Sequence, residues 1–473
     1  MKVLYVASEA VPFIKTGGLA DVAFSLPKAL RKLGIDVRVV IPKYKNIHDE
    51  LKINMTVLRE INVPVGWRNQ HCGIQYLEYE GVPYYFIDNE YYFKRDGIYG
   101  HYDDGERFAF FDRAVLEMID SIDFKPDIIH CNDWHTGMII PLLDAHYRHK
   151  SVYRNMKTIY TIHNLKYQGV FQQGILRDLL NLGPDYFNVG KLEFYGGVSF
   201  MKGGINYADV VTTVSESYAM EIQSPEFGER LDGLLKSRSK DLYGIVNGID
   251  YDIYNPEKDP EIFLNYTLDS LENKEKNKLQ LQELLELPIQ KDVPLIGMVS
   301  RIDVMKGFDL VANIIEELLA IDVQLVVLGT GDPYFEALFQ DLANKHHEKL
   351  AVKIMFSSAL SNKIYAGCDM FLMPSMFEPC GLSQLIALRY GTIPIVRETG
   401  GLRDTVYSFN ESTEEGNGFS FSSYDAQDML FTIKRALGFY KDKGTWNKII
   451  SNAMKGDYSW KTAAHIYEKL YNK

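Results

Sequence analysis

Short apolar runs alternate with amphipathic, helix-length stretches along the whole chain. In the first half the runs are "KVLYVA" (2–7), "DVRVVIP" (36–42), "VPYYFID" (82–88), "PDIIHC" (126–131), "KTIYTIH" (157–163) and "DVVTTVS" (209–215). Most are rich in β-branched residues and nearly continuous in hydrophobicity, as parallel strands covered on both faces require. Helix-length stretches fall between them, at 106–120 and 136–149 among others. Pro27, inside the first such stretch, predicts an interrupted and kinked helix.

A break follows at "NGIDYDIYNPEKDP" (247–260), whose Asn, Asp, Pro and Gly content reads as a loop between domains. Beyond a charged helix at about 271–286 the alternation resumes with "PLIGMVS" (294–300), "VQLVVLG" (323–329), "AVKIMF" (351–356), "DMFLMP" (369–374) and "TIPIVR" (392–397). The pattern predicts an α/β protein of two doubly wound domains in tandem. Ligands of such sheets bind beyond the carboxyl ends of the strands, so the polar residues just after each run are the ones to follow.

One motif occurs in both halves. "KTGGLADV" (15–22) returns in outline as "ETGGLRDTV" (398–406), each time after a strand and at the start of a helix. Two tight strand-to-helix turns would account for the paired glycines. They account less well for the Thr before and the Asp after in both copies, and a pair of helix N-termini facing one cleft would clamp a diphosphate.

The other post-strand residues narrow the chemistry. "PDIIHC" leads to Asn132-Asp133-Trp134-His135, and "KTIYTI" leads to His163-Asn164. Arg301 and Lys306 lie five apart after "PLIGMVS", and either a solvated helix start or a pair of phosphate-binding cations fits them. Glu378, in "FEPCGL", can cap a helix or receive sugar hydroxyls. His130, Cys131, Asp133 and His135 do not read as a metal site, because a strand sends neighbouring side chains to opposite faces. "GTGD" (329–332) starts like a dinucleotide fingerprint, but Tyr334 stands where the third glycine belongs. Cys380 lacks an identifiable base and reads as a packing residue rather than an activated thiol.

Composition excludes whole classes. With 473 residues the chain is too long for one core. Its net charge of −12 argues against nucleic acid and anionic membranes as partners. No apolar run is long enough to cross a bilayer. The opening run is too short for the core of a secretory signal, and four scattered cysteines suit reduced thiols, so a cytoplasmic location is expected. The 31 tyrosines are compatible with a surface that handles sugars.

These strings together resemble a known family. "KTGGLADV", "HCNDWHTGMI", "TIHNLKYQG", "VNGID", "SRIDVMKGFDL", "MPSMFEPCGLSQLIALRYGTIPIVRETGGLRDTV" and "YSWKTAAHIYEKLY" are similar, in order and spacing, to bacterial glycogen synthases and the plant starch synthases. The resemblance implies the GT-B glycosyltransferase architecture, two Rossmann-like domains facing a central cleft. Residues 1–247 would form the acceptor-side domain, 248–455 the nucleotide-sugar domain, and 456–473 a helix crossing back to the first. It implies transfer of glucose from ADP-glucose to the non-reducing 4-OH of glycogen or another α-1,4-glucan, with retention of configuration and without metal or cofactor. A relative using UDP-glucose, or a weakly active glucan-binding scaffold, are the alternatives, and a homo-oligomer is allowed.

The resemblance also assigns residues. Lys15, Gly17 and Gly18 would meet the donor phosphates, with Asp21 on the sugar or acceptor side. Arg301 and Lys306 would neutralise the leaving diphosphate, under Thr399 and Gly400. His163, Asn164 and Asn247 would hold glucose hydroxyls, while Glu378 and the N–H groups of Cys380, Gly381 and Leu382 hold the far side of the sugar. Asp133 and Tyr99 are further first-domain candidates. Phe356 would stack on the base. It stands in Met355-Phe356-Ser357-Ser358, where the family commonly has Gly-Tyr-Asp-Glu, so the ring is kept and a hydroxyl lost. Ser383 replaces a usual threonine, and Ile386 stands where wider relatives carry a ribose-binding glutamate. No carboxylate suggests itself as a nucleophile, which favours same-face attack with the leaving diphosphate as base.

Overall fold

The computed structural model describes all of residues 1–473. The chain folds as two units, Met1–Asn247 with Trp460–Lys473, and Gly248–Ser459.

The first unit carries β1 (Lys2–Val6), β2 (Asp36–Pro42), β3 (Thr56–Val65), β4 (Arg68–Tyr79), β5 (Val82–Asp88), β6 (Ile128–Asn132), β7 (Lys157–Ile162), β8 (Val170–Gln172), β9 (Glu193–Phe194), β10 (Gly197–Ser199), β11 (Val210–Thr213) and β12 (Leu242–Gly244). Nine of these form one sheet in the order β12-β11-β7-β6-β1-β2-β5-β4-β3. It is parallel from β12 to β5 and antiparallel beyond. A small antiparallel sheet, β8-β10-β9, lies apart from it. The central strands β1, β6 and β7 are buried on both faces, as their continuous hydrophobicity requires. The β3–β4 hairpin has no counterpart among the expected strands. Most of β3 is exposed, so its sequence carries no apolar run.

The second unit is a six-stranded, wholly parallel sheet of β13 (Leu295–Val299), β14 (Gln324–Gly329), β15 (Leu350–Ile354), β16 (Met370–Met373), β17 (Ile393–Arg397) and β18 (Phe419–Phe421). Its order is β15-β14-β13-β16-β17-β18. In each sheet one strand sits where the winding reverses. β1 lies between β2 and β6, and β13 between β14 and β16. Connections leaving such a pair diverge to opposite faces, which opens a crevice at the carboxyl ends.

Two helices depart from expectation. The helix Gly18–Lys32 runs unbroken through Pro27, which is buried in its interior. The stretch expected as one helix at 136–149 is instead a short 3-10 turn, one α-turn at Ile139–Leu142 and a π-turn at Leu143–Tyr147.

The last helix, Trp460–Tyr471, belongs to the first unit and packs on the helix Gly18–Lys32. Residues 456–459 stay with the second unit, where the Ile249 N–H donates to the Tyr458 carbonyl at 2.8 Å. The helix is tied to the first sheet by a buried polar chain. Tyr471 Oη lies 2.8 Å from His130 Nδ1, His130 Nε2 lies 2.6 Å from Thr161 Oγ1, and Thr161 Oγ1 lies 2.6 Å from Thr212 Oγ1. Burial lowers the His130 pKa to about 3, so the ring is neutral. Tyr471→Phe leaves a buried imidazole nitrogen without its partner. It is expected to destabilise the first unit by about 1–3 kcal/mol, measured by denaturant unfolding.

Candidate active site

In the first unit the chain leaves β1 through Ser8 and Glu9, loops back, and enters the helix Gly18–Lys32 through Lys15-Thr16-Gly17. Gly17, the N-cap, is extended and supplies no side-chain cap to the first turn. Glu9 grips the residue just before the cap: Oε2 takes the Thr16 N–H and, at 2.8 Å, the Thr16 hydroxyl. Lys15 Nζ lies 2.9 Å from each carboxylate oxygen of Asp21, one turn into the helix. Burial raises the Asp21 pKa against the opposing pull of Lys15, and burial raises that of Glu9 to about 7.

The loop after β6 meets the same end of the sheet. Asp133 holds a left-handed φ of 57°, a strained conformation for a side-chain-bearing residue. Its own hydrogen bonds hold it there. Oδ1 accepts the N–H groups of His163 (2.8 Å) and Asn164 (3.3 Å), and its N–H donates to the Thr161 carbonyl at 2.9 Å. Burial raises the Asp133 pKa to about 7.

His163 Nε2 lies 2.9 Å from Asn132 Oδ1, which also receives the Tyr5 hydroxyl, while Asn132 Nδ2 donates to the Val6 carbonyl. The amide orientation makes Nε2 the protonated nitrogen and leaves Nδ1 as a lone-pair acceptor. Burial lowers the ring's pKa to about 3. His163 is therefore a neutral acceptor for a hydroxyl, not a cation. Tyr99 Oη bonds Ser8 Oγ at 2.7 Å, and its ring stacks on His135 at 4.4 Å. Asn247 closes the unit as a buried residue whose amide has no protein hydrogen bond.

In the second unit β13 runs into Arg301, Ile302 and Asp303. Asp303 Oδ1 accepts the Lys306 N–H at 3.0 Å and shapes a single turn before the helix Phe308–Leu319. Gly307 has φ 78°, and a Cβ there would stand 2.3 Å from the Pro374 carbonyl oxygen. Only glycine lets this turn press against the end of β16. The approach sets Lys306 Nζ 2.6 Å from Glu378 Oε2, which also receives the Ser375 hydroxyl at 3.0 Å. The Glu378 side chain is thus buried with a cation and a hydroxyl on one oxygen. Arg301, on the same loop after β13, is 58% exposed, with only Asp303 Oδ2 at 3.8 Å as an ionic neighbour.

The second Gly-Gly turn packs on the Glu378 backbone. The Gly401 N–H donates to the Glu378 carbonyl at 3.2 Å, and a Cβ on Gly400 would lie 2.1 Å from that oxygen. The neighbouring Thr399 hydroxyl is buried without a partner. Cys380 is buried too, Gly381 takes φ 74°, and Leu382 precedes the helix Ser383–Arg389. Phe356, beyond β15, is 81% exposed. It stands two strands from β13 in the sheet, on the opposite side from Glu378.

The structure thus gathers Lys15 with Asp21, and Asp133 with His163 and Asn164, in the first unit. It gathers Arg301, Lys306, Glu378, Thr399 and Gly400 in the second. No group of His, Cys, Asp and Glu side chains is arranged to hold a metal ion. No helix is long and apolar enough to cross a membrane.

Residues 2–237 match the family model described as the starch synthase catalytic domain, and residues 283–455 match that of glycosyl transferases group 1. A glycogen synthase from Geobacillus thermodenitrificans is 58% identical over 473 residues, covering 100% of this chain and 98% of that protein. One from Desulforamulus reducens is 56% identical with the same coverage. The chain belongs to the glycogen synthase family. It is a glycosyltransferase of the GT-B fold. Among solved structures it is similar to the catalytic domain of starch synthase IV from Arabidopsis thaliana bound to ADP and acarbose, with a TM-score of 0.93 and 34% identity. That match covers 99% of this chain and 98% of the other. Sucrose-phosphate synthase from Thermosynechococcus elongatus, at a TM-score of 0.63 and 17% identity, shares the fold alone.

For this family member, sequence reasoning passed over Glu9 and Ser375 and gave no role to Asn132 and Asp303, all of which hold or orient the residues it assigned. Each lies at a strand's end or within four residues beyond it. Reading every polar residue in that window would have found them.

Two outcomes are expected from the site's electrostatics. Lys306→Met strands the buried Glu378 carboxylate and should destabilise the second unit by about 3 kcal/mol. Adding Glu378→Gln should recover part of that loss in the same denaturant unfolding experiment. Asp133, with a raised pKa, keeps its proton in the fold between about pH 4 and 7, where the unfolded chain has released it. Stability is therefore lost progressively as pH rises from about 4 to 7, and the loss levels off once the folded group has ionised too. Asp133→Asn should raise Tm at pH 8, and the gain should vanish by pH 4.

Proposed function

We propose that this glycosyltransferase moves glucose from ADP-glucose to the non-reducing 4-OH of an α-1,4-glucan, with retention and release of ADP. The observation that carries the reading is the Lys306–Glu378 pair at the β13/β16 switch point, with Arg301 exposed on the same loop as Lys306. Two cations on one loop, one of them held by a buried carboxylate, suit a sugar diphosphate whose negative charge grows as the bond to the sugar breaks. ADP as the nucleotude product draws on the starch synthase IV structure, which was bound to ADP and acarbose. The exposed Phe356 ring offers a stacking face for a base.

In this reading Gly248–Ser459 is the nucleotide-sugar unit. Arg301 and Lys306 meet the diphosphate, Thr399 contributes a buried hydroxyl that the fold leaves unpartnered, and Gly400 lets the backbone come close. Glu378 and the N–H groups of Cys380, Gly381 and Leu382 hold the glucose. The other unit supplies Lys15 and the Gly17-Gly18 turn for phosphate, and Asp21, Asp133 and Tyr99 for the sugar or acceptor. His163 offers Nδ1 as an acceptor to a glucose hydroxyl, with Asn164 and Asn247 beside it in function.

Same-face transfer balances without a protein nucleophile. The C1–O bond to the diphosphate breaks, acceptor O4 bonds C1 on the same face, and the O4 proton passes to the departing phosphate oxygen. Lys306 and Ser375 occupy Glu378 Oε2 and leave Oε1 to accept a glucose hydroxyl, the holding role assigned to it here. Four free, buried cysteines fit a reducing cytoplasm.

The test is nucleoside diphosphate release from ADP-glucose and from UDP-glucose, with and without glycogen, in the presence of a chelator. Glycogen-dependent release of ADP that survives chelation is expected, and Arg301→Ala should lower kcat by about 10²–10³. Release from UDP-glucose alone would move the donor assignment, and release from neither would end the reading.

A further inference from the structure

Glu9 has no role in the reaction as drawn so far, yet it is among the most deeply placed charged side chains of the first unit, 3% exposed. Its Oε2 takes both the N–H and the hydroxyl of Thr16, and the Gly17 N–H also bonds its carboxylate. Gly17, as N-cap, has no side chain with which to close the helix start. Glu9 therefore fixes from outside the backbone that leads into the helix, holding the cap residue and the one before it. The segment it grips carries Lys15 on one side and Gly18 on the other.

We propose that Glu9 is a positioning residue for glucosyl transfer, whose ionised carboxylate pins the Thr16–Gly17 backbone and so presents Lys15 and the first helical N–H groups in one arrangement. The consequence for the reaction rests on the role of Lys15 proposed above; the pinning itself does not. A carboxylate can accept from all three donors at once. A neutral carboxyl carries a proton on one oxygen and gives up part of that set. Because burial brings this group's pKa to about 7, the change falls within the working range.

The ionisable groups that face Glu9 are Asp21 on the helix, Asp133 after β6, Tyr99 from the 94–103 loop and Tyr44 after β2. Lys15 pairs with Asp21. Asp133 titrates near the same pH, so activity alone cannot separate the two.

Amide hydrogen exchange at Thr16 and Gly17, followed by NMR or mass spectrometry from pH 6 to 8 and corrected for intrinsic rates, reads the pinning without substrate. In the wild-type protein protection should rise about tenfold across pH 7, and in Glu9→Gln it should be lower and independent of pH. With ADP-glucose and glycogen, Glu9→Gln should lower kcat at pH 8 by about tenfold and lose the acid inflection near pH 7, with KM for glycogen changed less than about twofold. Wild-type protection that does not vary with pH overturns the proposal whether or not the variant folds. So does a Glu9→Gln enzyme that keeps both the inflection and the wild-type rate, which would assign the titration to Asp133. Failure of wild-type protein to release ADP would overturn the functional reading and leave the exchange result to judge Glu9.

Discussion

At the carboxyl end of a parallel strand the backbone leaves its ladder while still partly shielded from water, and its N–H groups must find acceptors there. This protein meets that demand with carboxylates. Asp133 takes the N–H groups of His163 and Asn164, Glu9 takes that of Thr16, and Asp303 takes that of Lys306. Each acid thereby fixes a loop, and each loop carries a residue assigned to the chemistry. Structural satisfaction and functional placement are the same set of bonds.

The two units answer the constraint with opposite electrostatics. At the end of the first sheet Glu9, Asp21 and Asp133 crowd together with Lys15, and burial raises the pKa of all three acids. At the end of the second sheet Glu378 has Lys306 against it, and Arg301 stands exposed on the Lys306 loop. In a chain of net charge −12, the cations proposed to meet phosphate are thus a few local ones rather than an overall field. Glycine makes the second arrangement geometrically attainable. At Gly307 and Gly400 a Cβ would collide with the backbone of the β16 loop, and without that close approach Lys306 and Glu378 would not meet.

Much of this architecture is legible from local pattern. The parallel core strands are nearly continuous apolar runs, so β1, β2, β5, β6 and β7, and β13 to β17, can be read directly. The exposed β3 has no such signature, and β18 is only three residues long. Pro27 misleads in the other direction. A proline inside a helix removes one hydrogen bond, and here the surrounding packing keeps the helix intact.

What the sequence by itself determined is the inventory: two doubly wound sheets, the Gly-Gly turns, and post-strand polar residues of the kinds that bind a sugar diphosphate. These follow from periodicity and from the conformational needs of glycine, both of which are local. What only the tertiary structure decided is partnership. That Lys306 pairs with Glu378, 72 positions away, that His163 is neutral with its Nδ1 free, and that Glu9 holds the backbone entering a helix all depend on distance and burial. Those quantities arise when strands far apart in sequence come to lie side by side.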